Sequence, residues 1–408
     1  LRLTLREVLP AAQMGEFALR PQQGAVLAIF VPLKKLQRNL EQEGKANSIL
    51  LAAKAANEQT APQAEHLLQS TFTLADLGLK LRVLEAQKAL VLESDSSVIS
   101  DVIAEKATAQ ANAAKLSAAP VLTYLANTIR AGEKDIPYSL ITALDQAGLD
   151  RIIYRGFPLR NEFSQLSKTD LISFANTVSD VAVSARAPVI VLNEWAARDL
   201  GVKTGHRLTL EYYLWQEEGQ LKTQTADFTV SDIVPMQGPA LDRNFAPDYP
   251  GITDTDSLAD WDPPFPIELK RVRDKDEAYW RQYRTTPKAF ILLSEGQKLW
   301  ASRYGKLTSL RLIPADQTDL PTTRNSFEQA LRVSLNPLQN GLSVLSVKTQ
   351  SLQAAQGATD FGEYFAYFSF FVIVAALLLA SLFFKLGIEQ RLREIGLLRA
   401  LGYSVEGP

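Results

Sequence analysis

Twenty-one consecutive residues, Tyr364–Phe384, read YFAYFSFFVIVAALLLASLFF and carry no charge. Wound as a helix they extend roughly 32 Å, the thickness of bilayer hydrocarbon. Helices buried in soluble domains seldom stay uncharged for so long, so the run predicts a membrane span. Most of the chain precedes it and a cationic segment follows it, which separates it from a signal peptide.

The flanks give the span a direction. Asp360 and Glu363 stand just before it and the nearest upstream base is Lys348, whereas Lys385, Arg391, Arg393 and Arg399 follow it. Cytoplasmic flanks collect Lys and Arg, so the tail is expected inside and residues 1–360 outside. Tyr364, Tyr367, Phe383 and Phe384 would lie at the two interfaces. Ala376 and Ala380, one turn apart, form a small-residue face that a second membrane helix can approach.

In the tail, Ile388, Leu392, Ile395 and Leu398 recur at helical spacing, and Glu389 precedes Arg393 by one turn. An amphipathic cytoplasmic helix is expected, turned at Gly402. This stretch, with Arg391, Arg393-Glu394-Ile395-Gly396, Leu398-Arg399-Ala400 and Leu401-Gly402, resembles the segment after the second membrane helix of FtsX-like ABC transporter permeases. That family holds the permeases of macrolide-exporter, lipoprotein-release and cell-division systems. The resemblance is carried strongly by about the last fifty residues, and the preceding part resembles their ectodomains loosely.

The resemblance implies a fragment of a multi-pass inner-membrane permease, working as a homo- or heterodimer with a cytoplasmic ABC ATPase and, in some systems, a periplasmic adaptor. ATP would be bound by the ATPase, so the chain itself would be no enzyme and hold no cofactor. Arg391, Glu394, Ile395, Gly396, Leu398, Arg399, Leu401 and Gly402 would be the ATPase-coupling residues. Mechanotransmission for efflux or for lipoprotein or peptide export is the implied function, with efflux favoured by family frequency. The alternative is a single-span receptor or sensor with a ligand-binding ectodomain.

Composition narrows the remainder. Across 408 residues, 46% are hydrophobic and 22% charged, as in ordinary globular protein. With 43 Lys+Arg against 45 Asp+Glu, no basic surplus argues for nucleic acid. The absence of cysteine excludes disulfides and thiolate metal sites.

Periodicity predicts an α+β ectodomain: a first α/β lobe over 1–118 and a second lobe with a β-rich subdomain over 119–360, before a membrane helix at 361–386 and a coupling segment at 387–408. Strands are expected at Leu3–Val8, Val26–Val31, Ser48–Ala53, Leu79–Val83 and Ala89–Leu92, with helices from Pro32 and Pro62 and across Val98–Ile103. Pro120–Ala143 reads as strands with turns, Arg151–Pro188 as irregular, and Val189–Leu192 as a strand before a helical turn stopped by Gly201. Arg207–Trp215 and Gln220–Val234 read as a hairpin through Glu217-Glu218-Gly219. Arg271–Tyr283 reads as an exposed helix, Pro321–Val333 as another, and Ser343–Val347 as the last strand.

Two parts of the chain repeat weakly. Leu3–Pro10 aligns with Phe228–Pro235 at an offset of 225 (228 − 3). Phe30, Leu33 and Gln37 align with Phe290, Leu293 and Gln297 at 260 (290 − 30), and Gly44, Lys45 and Ser48 with Gly305, Lys306 and Ser309 at 261 (305 − 44). Such a repeat implies two related lobes.

Catalytic motifs do not assemble. Gly305-Lys306 lacks the earlier glycine of a phosphate loop, where Trp300 stands. Asp254, Asp256, Asp260 and Asp262 have the density of a calcium loop, but Leu258, Ala259 and Phe265 break its pattern, which favours a solvated turn. His66 and His206 lie in no nucleophile motif, and Tyr212, Tyr213 and Trp215 read as a packed strand face.

Overall fold

The computed structural model of the chain describes residues 3–20, 25–52, 60–153, 188–215, 220–249, 251–263, 265–315, 319–355 and 361–403. Its contacts separate two compact units, Glu65–Ser343 and a second made of Leu1–Ala64 with Val344–Pro408.

In the N-terminal stretch, Pro32 opens helix α1 (Leu33–Asn39), and α2 spans Thr60–Thr71. The strands expected at Leu3–Val8, Val26–Val31 and Ser48–Ala53 do not form ladders within the described residues, and Ala53 lies outside these. Alternating apolar residues fit a pleated surface, but a strand exists only where a neighbour takes its backbone hydrogen bonds.

The Glu65–Ser343 unit begins with the expected hairpin, β1 (Leu79–Leu84) and β2 (Ala89–Ser94), antiparallel with Leu81 opposite Leu92. Ser100 then accepts a hydrogen bond from the Ile103 N–H and starts α3 (Asp101–Ala113). The long strands β3 (Leu116–Ala131) and β4 (Lys134–Leu144) pair through a two-residue turn at Gly132-Glu133, where Gly132 has φ 58°. Helix α4 (Gln146–Ile153) follows, and the irregular stretch expected at Arg151–Pro188 falls largely outside the described residues.

Strand β5 (Val189–Asn193) leads into α5 (Glu194–Leu200), whose first turn is capped by the Asn193 side chain and whose end is turned by Gly201 at φ 70°. Then come β6 (Arg207–Trp215), β7 (Leu221–Val234), α6 (Asp274–Tyr283), β8 (Ala289–Leu292), α7 (Leu293–Trp300), β9 (Ser309–Pro314) and α8 (Leu320–Ser334). The hairpin turn expected at Glu217-Glu218-Gly219 lies outside the described residues.

All nine described strands join one sheet in the order β1-β2-β9-β3-β4-β8-β5-β7-β6, and β6 returns to pair with β3 at Thr128–Arg130. The pairings β3-β4-β8-β5-β7-β6 therefore close a ring. Sixteen residues make β3 long enough to hold β9 along its first part and β6 along its last. This sheet corrects the expected boundary at 118, which falls inside β3, because β9 lies between β2 and β3 and joins early and late strands. The fold is α+β.

One apolar cluster draws on all six ring strands and on Ala196, Ala197 and Leu200 of α5 and Trp300 of α7. A second lies between β1, β2 and β9 and helices α3 and α8, around Leu90, Leu92, Phe327 and Leu331. Complete burial of a Phe or Leu side chain contributes about 1.5–3 kcal/mol, so these clusters dominate the unit's stability.

Two expectations fail here for identifiable reasons. Helix α6 is not an exposed helix: Asp276, Tyr279 and Trp280 are buried, Asp276 because Arg273 neutralises it. Ser343–Val347 forms no strand, since no strand among the described residues takes its backbone hydrogen bonds, and Val347 instead begins α9 (Val347–Ala355). The last element is α10, forty residues from Phe361 to Ala400.

Candidate functional site

Among the described residues α10 is the one helix long and apolar enough to cross a membrane. It runs about 60 Å without interruption, through Gly387 and Gly396, so the apolar run and the cationic tail are one rod. The division expected at 386/387 is thus not a break in the backbone. Lys385, Arg391, Arg393 and Arg399 all lie on the tail end.

The rod ends as a Schellman motif. The Tyr403 N–H donates to the Leu398 carbonyl and the Gly402 N–H to that of Arg399, at 3.1 and 3.0 Å. Gly402 takes φ 91°, a conformation that costs glycine little and other residues about 1 kcal/mol or more. The expected turn at Gly402 is therefore real, and it fixes where the helix stops.

At about 100° per residue, Leu401, Glu394, Leu398, Arg391, Ile395 and Arg399 follow one another around about 160° of the helix circumference. Gly396 lies beyond Arg399, and Gly402 is the terminal turn. Six of the eight predicted coupling residues thus share one face, on which charged and apolar side chains alternate. Arg393 and Ala400 lie opposite, and Leu397 borders the face beside Leu401. Every side chain on this segment is exposed, Leu398 at 46% and Leu401 at 68%, so none of the described residues covers the face. Glu389 and Arg393, expected to pair, form no ion pair among the described residues, as suits two charges in high dielectric. Ala376 and Ala380 lie one turn apart on α10, and Ala376 and Ala380 are likewise exposed.

In the Glu65–Ser343 unit the residues weighed for chemistry have structural roles. His206 accepts a 3.4 Å hydrogen bond from the Lys203 N–H in a turn, and His66 is exposed on α2. Lys306 pairs with Asp101 at 3.1 Å, and a Cβ at Gly305 would meet the Ile99 carbonyl oxygen at 2.0 Å. Asp256 pairs with Arg284, while Leu258 and Trp261 are buried against Trp280, so the aspartate loop is anchored rather than solvated throughout. Tyr212 is buried, edge-on to Tyr124 and Trp300, whereas Trp215 is exposed.

Sequence reasoning missed Lys288. Its ammonium lies 5.0 Å from the ring centroids of both Trp195 and Tyr279, and the residue is 5% exposed. Burial pulls its pKa down to about 8, against the opposing field of Asp276 and Asp199 and with the help of Arg273. Nearby, Arg273 binds Asp276 and Asp199 at 2.6 and 2.7 Å, and Lys275 also pairs with Asp199. The lysine opens the apolar run Ala289–Leu292, and its place at a strand start reads in sequence as an ordinary exposed end.

No family model and no curated protein sequence matches the chain. Among solved structures it is similar to the periplasmic region of MacB from Actinobacillus actinomycetemcomitans, at 13% identity over 62% of this chain and 83% of that one, with a TM-score of 0.27.

Proposed function

We propose that the chain is a membrane-anchored component of an ABC transporter of the FtsX-like permease kind. Residues 387–402 would receive force from a cytoplasmic ATPase, and α10 would carry it through the membrane to the Glu65–Ser343 unit. The observation that supports this most is continuity: the apolar run and the motif-bearing tail are one unbroken helix. A rigid rod passes displacement from end to end, which a jointed tail would absorb. The alternating charged and apolar face from Leu401 to Arg399 suits a partner surface that supplies both ion pairs and apolar pockets. A receptor whose span serves only as an anchor gives no reason for such a face.

The physics asks little else of the chain: ATP chemistry belongs to the partner, and a second permease copy can pack on Ala376 and Ala380. Cargo export or efflux is the reading these parts serve.

The test is a set of three variants in the protein at its encoded length. Leu398→Asp and Glu394→Lys should lower transport-coupled ATPase activity and co-purification of the ATPase by about tenfold or more, the scale of losing one buried anchor. Ala400→Asp, on the opposite side of the helix, should leave both near their starting values. Equal effects at positions 400 and 398, or none at 398 and 394, would overturn the docking face.

A further inference from the structure

The turn that ends the Glu65–Ser343 unit carries a reactive pair. Asn340-Gly341 is the one Asn-Gly step in residues 1–408, and glycine is the neighbour that least hinders attack on an asparagine carboxamide by the following backbone nitrogen. Other asparagines of the unit are worse placed. Asn127 and Asn193 are buried, and Asn336 precedes Pro337, which has no N–H to give up.

The hydrogen bonds of the turn leave the reacting groups open. After the short helical turn Pro337–Gln339, the Pro337 carbonyl accepts from the N–H groups of both Asn340 and Leu342, each at 3.1 Å. Between them, the Gly341 N–H donates to none of the described residues. A Cβ at Gly341 would meet nothing within 4 Å, so this peptide lies in open space. The Asn340 carboxamide is tied by one bond, from its Nδ2 to the Asn336 carbonyl at 2.8 Å. Asn340 stands at φ −118° and ψ 34°, which turns the Gly341 nitrogen away from the carboxamide carbon. Ring closure therefore waits on rotation about ψ, and the bonds to Pro337 and Asn336 hold that rotation back. An exposed turn kept by so few bonds opens at little cost.

We propose that Asn340 is a site of spontaneous covalent modification, with hydroxide and water as its co-reactants. Hydroxide takes the Gly341 amide proton and the nitrogen attacks Cγ of Asn340. The new N–Cγ bond closes a succinimide, and the Cγ–Nδ2 bond breaks with loss of ammonia. Water then adds to one of the two ring carbonyls, and the C–N bond that opens leaves aspartate or isoaspartate at position 340. The sequence needs neither oxidant nor reductant. Both products put a carboxylate where Nδ2 had donated, against the Asn336 carbonyl, and isoaspartate also adds a carbon to the main chain. The result is a one-way loosening of the chain that leads on from α8 to α9.

The protein at its encoded length is aged at neutral and at mildly alkaline pH, and the tryptic peptide 333–348, bounded by Arg332 and Lys348, is weighed and sequenced. A gain of about 1 Da at position 340 is expected, faster at the higher pH and faster again in urea. Asn340→Gln, whose longer side chain must close a larger ring, should keep its mass. In the aged protein, hydrogen exchange at the Leu342 amide should run about tenfold faster than in fresh protein, because its bond to Pro337 is lost. A peptide that keeps its mass in the folded protein while the urea-treated one converts, a gain that survives Asn340→Gln, or Leu342 exchange unaltered after conversion would each overturn the proposal.

Discussion

Arg311 on β9 donates to the Asp242 carboxylate at 2.7 Å while its guanidinium lies 3.9 Å over the Phe245 ring. The pair's side chains are 10% and 5% exposed, so each charge depends on the other rather than on water. Dependence is unequal, however. Asp242 also accepts from Gln87 Nε2 at 3.1 Å and from the N–H and Nδ2 of Asn244, whereas Arg311 Nε and Nη2 find no acceptor. Asp242→Ala should therefore cost about 3–5 kcal/mol, the scale of stranding a buried charge, and Arg311→Met distinctly less. Urea unfolding followed by tryptophan fluorescence measures both, and equal losses would show that the carboxylate's other donors do not sustain it.

Lys288 gives the Glu65–Ser343 unit an alkaline signature. Its folded pKa of about 8 lies below the ordinary 10.5, so between these values the unfolded chain holds a proton that the folded one has released. Stability then rises with pH through this window, and below pH 8 the full cost of a buried ammonium is present. The gain from pH 8 to 9.5 should be about 1–2 kcal/mol. Lys288→Met should raise stability at pH 7 and flatten the profile. Unfolding curves at half-unit pH steps check this, and an unaltered slope in the variant would assign the pH dependence to another group.

Gly296 marks the closest approach of α7 to the sheet. A Cβ there would lie 2.4 Å from the Ala143 Cβ on β4, far inside contact distance. Gly296→Ala gains up to about 1 kcal/mol of helix propensity and loses about 1–3 kcal/mol to forced separation, so a net loss is expected. Adding Ala143→Gly should restore part of it by opening the space. Thermal melts of the two variants and the double variant decide, and a double variant no more stable than Gly296→Ala would place the strain elsewhere.

How much of this was legible in the sequence depends on the range of the interaction. Local signals carried well: Gly201 stops α5, Gly402 stops α10, and β1 and β2 pair as neighbours. Alternation at Leu3–Val8 and Val26–Val31 predicted strands that form no ladder among the described residues, because alternation does not name a partner strand. Ring closure rests on Thr128 meeting Glu211, eighty-three residues on (211 − 128), which no window of sequence contains. Helix α6 looked solvated because Asp274, Lys275, Asp276 and Glu277 are all charged, and only the position of Arg273 shows that Asp276 is neutralised and buried. The residues proposed to meet an ATPase stand out one by one in the sequence, but their grouping on about 160° of one rod required the helix to be continuous past Gly387 and Gly396.

That continuity also fixes what a topology measurement should find. Acidic Glu363 lies at one end of the apolar run, and Lys385, Arg391, Arg393 and Arg399 lie beyond the other. The bias of positive charge toward the cytoplasm places the tail inside and α9 outside. With no cysteine in residues 1–408, Ser351→Cys on α9 should react with a membrane-impermeant maleimide in spheroplasts, and Tyr403→Cys only after the membrane is opened. Reversing the charges of Arg391 and Arg393 should weaken the asymmetry if the arginines set it. Labelling of both positions from the same side in intact spheroplasts would mean that α10 does not cross the bilayer, and the rod would then have nothing to transmit across it.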